Sequence, residues 1–189
     1  MKKFTKYILF ISLGLLCSCS DYLDIVPDNV TTLDIVFNNK NTAQRYLANC
    51  YHFVPDHGSV TRIPGMGAGH ECWFYTDKDS YFDNEVSFYI ARGLQNTNAP
   101  YANYWDGEGG SKLPMFRAIR ECNIFLSYVR DQHKVNDLTD SERKRWIAEV
   151  NVLKAYYHFF LFEHYGPIPI VDEALPVSTS SEGVKVTRM

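Results

Sequence analysis

One stretch of the sequence combines aromatic rings with short polar side chains at a density that suits ligand contact. Between Trp73 and Trp105 there are ten rings in 33 residues, accompanied by aspartates, asparagines and an arginine. The C–H face of a sugar stacks on such rings, while its hydroxyls need carboxylates, amides or arginine for directed hydrogen bonds. The sequence therefore predicts ligand contacts by Trp73, Tyr75, Asp79, Tyr81, Asn84 and Arg92. The alternative, that these rings pack a loop onto its scaffold, stays open for each of them.

Other chemically active residues match no standard site. The acidic run from Asp77 to Glu85 has Phe82 and Phe88 where a calcium-binding EF-hand loop needs glycine and glutamate. A solvated acidic loop is therefore favoured over a metal site. The six histidines form no ligand cluster, and no nucleophile motif such as G-x-S-x-G occurs. We expect no metal, no cofactor and no enzymatic activity.

The charge balance argues against a nucleic-acid partner. The 189 residues contain 19 Lys and Arg against 22 Asp and Glu, a net charge of −3. A chain without a broad basic surface cannot neutralise a phosphate backbone. Hydrophobic residues make up 46% and charged residues 22%, which is ordinary globular usage. We expect a packed core and no binding of nucleic acid.

The first 18 residues have the layout of an export signal. Three lysines precede an apolar run from Tyr7 to Leu16, which small residues follow. This run is too short to cross a bilayer, since a membrane helix needs about 20 apolar residues. The sequence Leu16-Cys17-Ser18-Cys19 resembles the bacterial lipobox, which predicts lipidation at Cys19 and attachment to a membrane surface by acyl chains. An ordinary signal peptide with incidental cysteines is the alternative.

Three cysteines remain besides the anchor. Cys50, Cys72 and Cys122 lie 22 and 50 positions apart, and these spacings match no metal-ligand motif. An odd number cannot all pair, so at most one disulfide forms. Cys50 and Cys122 fall within helical patterns, where burial as small apolar residues is the commoner role.

Three segments with helical periodicity alternate with irregular sequence. Apolar residues at three- and four-residue steps predict helices over 41–54, 113–129 and 141–165. Between the first two, residues 55–112 are rich in glycine and lack a sustained period, which predicts a long irregular insertion. Loops of this length are uncommon in compact domains and are more often functional than disordered when rich in aromatic residues.

The last two predicted helices are joined by a short link and form an antiparallel pair. Thr139 and Glu142 form a capping box for the second of them, and Gly166 ends it. Because its second half is apolar nearly all round, we expect neighbours to cover it on two sides. Helix pairs are the unit of helical-repeat arrays, and one pair cannot close a core. The chain is therefore expected to be the N-terminal part of a longer protein or a truncated relative of one.

These patterns resemble the SusD-like (RagB/SusD) family of outer-membrane nutrient-binding lipoproteins. Four groups of residues carry the resemblance: the lipobox with Asp21-Tyr22-Leu23-Asp24-Ile25-Val26-Pro27, the Thr42 to Tyr51 helix, Trp105 followed by Phe116, Ile119 and Asn123, and Ala148-Glu149 through Ala155-Tyr156-Tyr157 to Tyr165-Gly166-Pro167-Ile168-Pro169. The family pattern assigns Trp105 to the scaffold. The most specific match is the last group.

The resemblance implies an all-α fold, an α-α superhelix of tetratricopeptide-like helix pairs with a long irregular aromatic-rich insertion. It divides the chain into a lipoprotein signal peptide (1–18), a lipidated tether (19–40) and an incomplete N-terminal helical domain (41–189). It also implies a non-enzymatic protein that captures glycans or other oligomeric nutrients at the cell surface and caps a TonB-dependent, SusC-like transporter. The alternatives are a structural or adhesive surface lipoprotein and a secreted glycan-processing enzyme.

Overall fold

Helices account for most of the residues that the computed structural model describes, which are 32–58, 64–69, 86–107, 113–175 and 187–188. In chain order the elements are α1 (Leu33–Val36), α2 (Lys40–Tyr51), α3 (Pro64–Gly67), α4 (Val86–Ala91), α5 (Met115–Arg130), α6 (Asp140–Tyr165), β1 (Pro169–Ile170) and β2 (Thr187–Arg188). The two short strands pair antiparallel. The prediction of an all-α fold is confirmed for these residues.

The three predicted helices are present, with local chemistry that explains their bounds. The Asn39 side chain accepts the Thr42 N–H at 3.1 Å and so caps the start of α2. At the start of α6 the predicted capping box of Thr139 and Glu142 is confirmed, and Gly166 ends the helix with a φ of 74°. The structure corrects the end of the first helix, which lies at Tyr51 rather than at residue 54.

The core lies where α2 packs against the α5–α6 pair. The buried face of α6 includes five large apolar or aromatic residues at helical spacing that are at most 7% exposed: Trp146, Val150, Leu153, Tyr157 and Phe160. The loop before α2 adds Phe37, whose ring stacks on that of Tyr128 with centroids 4.5 Å apart. None of the helices in the described ranges is long and apolar enough to span a membrane.

A second apolar stripe of α6 lies on the surface. Val152 is 69% exposed, Phe159 52% and Phe162 41%. The expectation that neighbours cover α6 on two sides is therefore wrong for this face in the part of the chain that the structure describes. Apolar periodicity identifies a stripe but does not say whether a neighbour covers it, because the covering residues are distant in sequence.

The link between α5 and α6 is organised around a buried arginine. Arg143 is 8% exposed and donates to four backbone carbonyls, those of Val129 at 2.6 Å and of Asp131, Lys134 and Val135 at 3.1 Å. Val135 has a φ of 50°, a conformation that is costly for a β-branched residue. Its N–H also donates to the Phe37 carbonyl at 3.0 Å. The hydrogen bonds of Arg143 thus satisfy the end of α5 and hold an unfavourable turn.

One residue of the chain that follows α6, Val171, is held by both helices of the α5–α6 pair. The N–H of Val171 donates to Nε2 of His158 at 3.2 Å, and its carbonyl accepts from the amide of Asn123 at 3.0 Å. Because Nε2 of His158 accepts, Nδ1 carries the proton and donates to the Lys154 carbonyl at 2.8 Å. Burial lowers the pKa of His158. The neutral ring is therefore the form that fits this contact.

Candidate functional site

Most of the residues predicted to contact a ligand lie outside the described residues. This applies to Trp73, Tyr75, Asp79, Tyr81 and Asn84, and also to the predicted lipidation site, Cys19. Arg92 is described. It directly follows α4, where its backbone N–H donates to the Phe88 carbonyl at 3.0 Å, and its side chain is exposed. The proposed grouping of these six contact residues therefore stays a prediction.

The loop after Arg92 shows rings that pack and polar side chains that close turns. Gln95 bonds Tyr101 twice: its amide oxygen accepts the Tyr101 N–H at 2.7 Å, and its amide nitrogen donates to the Tyr101 carbonyl at 2.8 Å. The rings of Tyr89 and Tyr101 stack with centroids 4.5 Å apart. For these two rings the packing alternative is the better interpretation, since each covers a face of the other.

A tight turn over residues 103–107 fixes the direction of Trp105. The Asn103 amide oxygen accepts the Trp105 N–H at 3.1 Å, and its amide nitrogen donates to the Asp106 carboxylate at 2.6 Å. Gly107 closes the turn with a φ of 89°, and a Cβ there would lie 2.8 Å from Cδ of Pro114. Only glycine fits this position. The turn therefore presents Trp105 on a rigid base.

Trp105 packs against two rings and leaves part of its side chain exposed. Its ring lies 4.5 Å from that of Phe116 and 5.6 Å, edge to face, from that of Tyr165. Nevertheless 42% of the residue is exposed, whereas the preceding Tyr104 is 1% exposed. The scaffold assignment made from the sequence pattern explains these ring contacts but not the exposed part of the indole, which we call its open face. We call Trp105, Tyr165 and Asp106 the Trp105 platform.

The hydroxyl of Tyr165 anchors the platform to the turn. It accepts the Tyr104 N–H at 2.8 Å. Burial raises the pKa of Tyr165, and so does the nearby charge of Asp106, while the backbone N–H groups of Tyr104 and Trp105 lower it. The phenol is therefore neutral and held in place, and the Asp106 carboxylate lies near it, fixed by the Asn103 amide. An aromatic face next to a fixed carboxylate can stack on a sugar ring and accept hydrogen bonds from its hydroxyls.

A feature of the sequence could have identified this platform. Tyr104 and Trp105 are adjacent in irregular sequence, so their side chains cannot both enter the core on the same side. Asn103 and Asp106 flank the pair with residues that favour tight turns. What the sequence could not supply is the contact with Tyr165, which comes from a helix 60 positions later.

A second concave surface is a weaker candidate. Asp34, Ser127, Tyr128, Asp131 and Lys134 line a cavity of about 260 Å³. Lys134 pairs with Asp34 at 2.8 Å and lies 5.7 Å from the centroid of the Tyr128 ring. The ammonium group of Lys134 is therefore already paired with other residues that line the cavity. Within the described ranges, no three His, Cys, Asp or Glu side chains come together in a way that could hold a metal ion.

Comparison with known proteins identifies the family. A family model described as "Starch-binding associating with outer membrane" matches residues 21–188. No curated protein matches the chain. The matched range includes the whole helical scaffold and the Trp105 platform. The chain therefore belongs to the SusD-like family, as the resemblance in its sequence predicted.

Proposed function

We propose that this protein is a cell-surface lipoprotein that binds glycans or other oligomeric nutrients and delivers them to a TonB-dependent, SusC-like transporter of the outer membrane. Family membership supports binding of starch-like glycans and association with the outer membrane. The observation that carries the proposal is the open face of Trp105 on its rigid base. The protein acts by binding and has no catalytic role in this proposal.

The open face of Trp105 is suited to this role because its position is fixed before any ligand arrives. The turn that holds Trp105 is closed by side-chain hydrogen bonds of Asn103 and by Gly107, and the indole packs against Phe116 and Tyr165. A ligand that stacks on a preorganised ring loses little free energy to ordering. The platform extends the predicted contact set of Trp73, Tyr75, Asp79, Tyr81, Asn84 and Arg92, which remains part of the proposal.

Binding is tested by calorimetry of the mature chain with maltoheptaose, a linear fragment of starch. We expect Trp105→Ala to weaken the affinity by about tenfold, the upper range for one aromatic contact. The matched control is Phe159→Ala, since Phe159 is an exposed ring of α6 and should leave the affinity unchanged. Equal affinities of wild type and Trp105→Ala would remove the platform from the site.

The predicted contacts outside the described residues have their own test. Trp73→Ala should weaken glycan binding while leaving the melting temperature nearly unchanged. An unchanged affinity would remove this stretch from the site, even if Trp105→Ala weakens binding. Failure of the wild-type protein to bind any oligosaccharide on a glycan array would contradict the glycan-binding proposal as a whole.

The lipid anchor at Cys19 and the arrangement of the fold are also part of the proposal. We infer a signal peptide over 1–18, palmitate and diacylglycerol on Cys19, and display on the outer membrane. We infer that the helical domain following this anchor is an α-α superhelix of tetratricopeptide-like pairs with an aromatic-rich insertion. Mass spectrometry of the N-terminal peptide from membrane fractions should show the acyl chains. In a Cys19→Ala variant the protein should leave the membrane fraction, and retention there would contradict the anchor.

A structural or adhesive role is the second candidate, and one observation favours it. The exposed stripe of Val152, Phe159 and Phe162 on α6 is an apolar surface of the kind that protein partners cover. Glycan binding by the mature chain that is lost on substitution of the Trp105 platform, and not on substitution of this stripe, would count against the adhesive role.

A further inference from the structure

Two buried cysteines lie at the contact between α2 and α5. Cys50 and Cys122 are both 0% exposed and both have free thiols. The side chains of the residues just before them already meet, since the amide nitrogen of Asn49 lies 3.5 Å from a carboxylate oxygen of Glu121. The same oxygen accepts a hydrogen bond from the Tyr46 hydroxyl. These polar contacts fix how the two helices are aligned at this level.

The alignment places the two thiols opposite each other. Phe37, before α2, stacks on Tyr128 near the end of α5, whereas Asn49, near the end of α2, reaches Glu121 in the middle of α5. The helices are therefore antiparallel. The ring centroids of Tyr46 on α2 and Phe125 on α5 lie 6.4 Å apart, and one turn onward along α2 and one turn back along α5 from this contact lead to Cys50 and Cys122. Small side chains at such a position let two helices approach closely.

Tyr157 of α6 contacts α2 at the position of Cys50. The Tyr157 hydroxyl donates to the Cys50 carbonyl at 2.6 Å. Burial raises the pKa of Tyr157, and the nearby Cys122 and Cys50 raise it further. The Cys50 thiol has its own pKa raised by its hydrogen bond with Cys122 and by burial. Both sulfur atoms therefore lie near one phenol and within hydrogen-bonding reach of each other.

We propose that Cys50 and Cys122 form a disulfide bond in the exported protein and so join α2 covalently to α5. The two thiols together lose two protons and two electrons as the S–S bond forms. The electrons pass to a disulfide-containing oxidant, such as a thiol oxidase of the cell envelope, whose disulfide is reduced to a dithiol. Exported proteins meet such oxidants, and proteins of the cytosol generally do not. The inference requires export and is independent of glycan binding.

The burial of both thiols determines when the bond forms. A thiolate is the species that attacks a disulfide, and buried thiols with raised pKa values form it poorly. We therefore expect oxidation while the chain folds rather than after the folded dithiol form meets an oxidant. Once formed, the bond closes a loop of about 70 residues, and loops of that length restrict the unfolded chain strongly.

Peptide mapping of the wild-type protein tests the proposal directly. The full chain is recovered from the cell envelope with free thiols blocked by N-ethylmaleimide, and is digested with trypsin without reductant. Cleavage after lysine and arginine places the three cysteines in separate peptides, 46–62, 63–78 and 121–130. We expect 46–62 linked to 121–130, and 63–78 recovered with its thiol alkylated. Recovery of 46–62 and 121–130 as alkylated single peptides, or of either linked to 63–78, would overturn the proposal.

Thermal unfolding supplies a second measurement with a matched control. Reductant should lower the melting temperature of the wild-type protein by about 10 °C, given the size of the closed loop. Cys72→Ser should behave in the same way, because it leaves the bond intact. A Cys50→Ala, Cys122→Ala double variant should melt near the reduced wild type and should not respond to reductant. A wild-type melting temperature that reductant leaves unchanged would contradict the bond.

Discussion

The two ends of α6 differ in how they use their side chains. At the first end Arg143 is buried and donates to four carbonyls, and Glu142 caps the helix and pairs with Lys40. At the last end Phe162 and Tyr165 are about 40% exposed, and Trp105 rests on Tyr165 with its face open. At the start of α6 the polar side chains are therefore hydrogen-bonded to other parts of the chain, whereas at the end of α6 aromatic side chains are exposed.

This difference separates stability from binding along one helix. Buried polar groups with all their partners in place are costly to disturb, because each lost partner leaves a desolvated group without a hydrogen bond. Exposed rings make few contacts whose loss would destabilise the fold, and they are available to a ligand. Substitution of the buried polar groups at the first end should therefore reduce the free energy of unfolding, and substitution of the exposed rings at the last end should mainly reduce binding.

Among substitutions of polar side chains, the largest expected effect is at Arg143. Arg143→Met removes the guanidinium donors from the carbonyls of Val129, Asp131, Lys134 and Val135, while keeping much of the apolar volume. We expect the free energy of unfolding to fall by about 3 kcal/mol, the range for breaking a buried charged hydrogen-bond network. Urea denaturation followed by circular dichroism measures this change.

Two control variants separate the network from the charge. Arg145→Met removes an exposed arginine whose partner is Glu149 at 3.4 Å, and it should change the free energy of unfolding by less than about 0.5 kcal/mol. Arg143→Lys keeps the charge but cannot reach four carbonyls, so it should remain strongly destabilised. Wild-type stability in Arg143→Lys would show that the charge alone matters.

The next effect is a loss of stability in acid that depends on His158. Burial lowers the pKa of this ring in the folded chain below its ordinary value, so the unfolded chain takes up the proton first. The free energy of unfolding should therefore be full above about pH 7.5, fall as the pH drops through about 6.5, and level off beneath the folded pKa. Protonation would turn the acceptor of the Val171 N–H into a donor and break that contact.

The comparison that isolates His158 is a non-titrating variant measured over the same range. In His158→Gln the slope of stability between pH 7.5 and 5 should decrease, since the remaining charged groups near the ring, Lys154 and Asp172, pair with each other at 3.3 Å. The pKa of Glu142 is lowered to about 2 by Lys40 and Thr139, so its own contribution is lost at lower pH, from about 4.5 downward. An identical slope in both proteins would exclude His158 as the source.

A smaller effect is expected from the cap of α6. Thr139→Ala removes the side-chain acceptor of the Glu142 N–H, and loss of such a cap costs about 1 kcal/mol. Thr139→Ser keeps the hydroxyl and should retain most of the stability. If Thr139→Ala and Thr139→Ser had the same free energy of unfolding, the side chain of the capping box would contribute nothing to stability. Urea denaturation of both variants measures the difference.

The sequence predicted the features of the fold that depend on residues close together in the chain. Helical periodicity located α2, α5 and α6, and Thr139 and Gly166 marked the ends of α6 because caps are local chemistry. The four carbonyls bound by Arg143 could not be predicted, since a buried arginine and an exposed one look alike in a helical pattern. The helices α3 and α4 were missed because each is too short to show a period.

The sequence predicted the kind of residues that form the candidate site, but not which ring the structure leaves exposed. Density of rings and polar residues identified the stretch from Trp73 to Trp105, and its first half lies outside the described residues. Trp105 was assigned to the scaffold because its pattern with Phe116 is that of a packed ring, and the structure confirms their contact. The contact of the indole with Tyr165 is a tertiary contact and leaves no trace in local sequence.

The smallest effect, and the one that most sharpens the comparison, is expected at Phe159. This ring is 52% exposed, while its neighbour Phe160 is 1% exposed and packs edge to face against Tyr104 at 4.9 Å. Phe159→Ser should change the free energy of unfolding by less than about 0.5 kcal/mol, whereas Phe160→Ala should cost about 3–5 kcal/mol. Urea denaturation of the Phe159→Ser and Phe160→Ala variants measures both changes. Equal losses would mean that residues outside the described ranges cover this face of α6, because an uncovered ring has no buried contacts to lose.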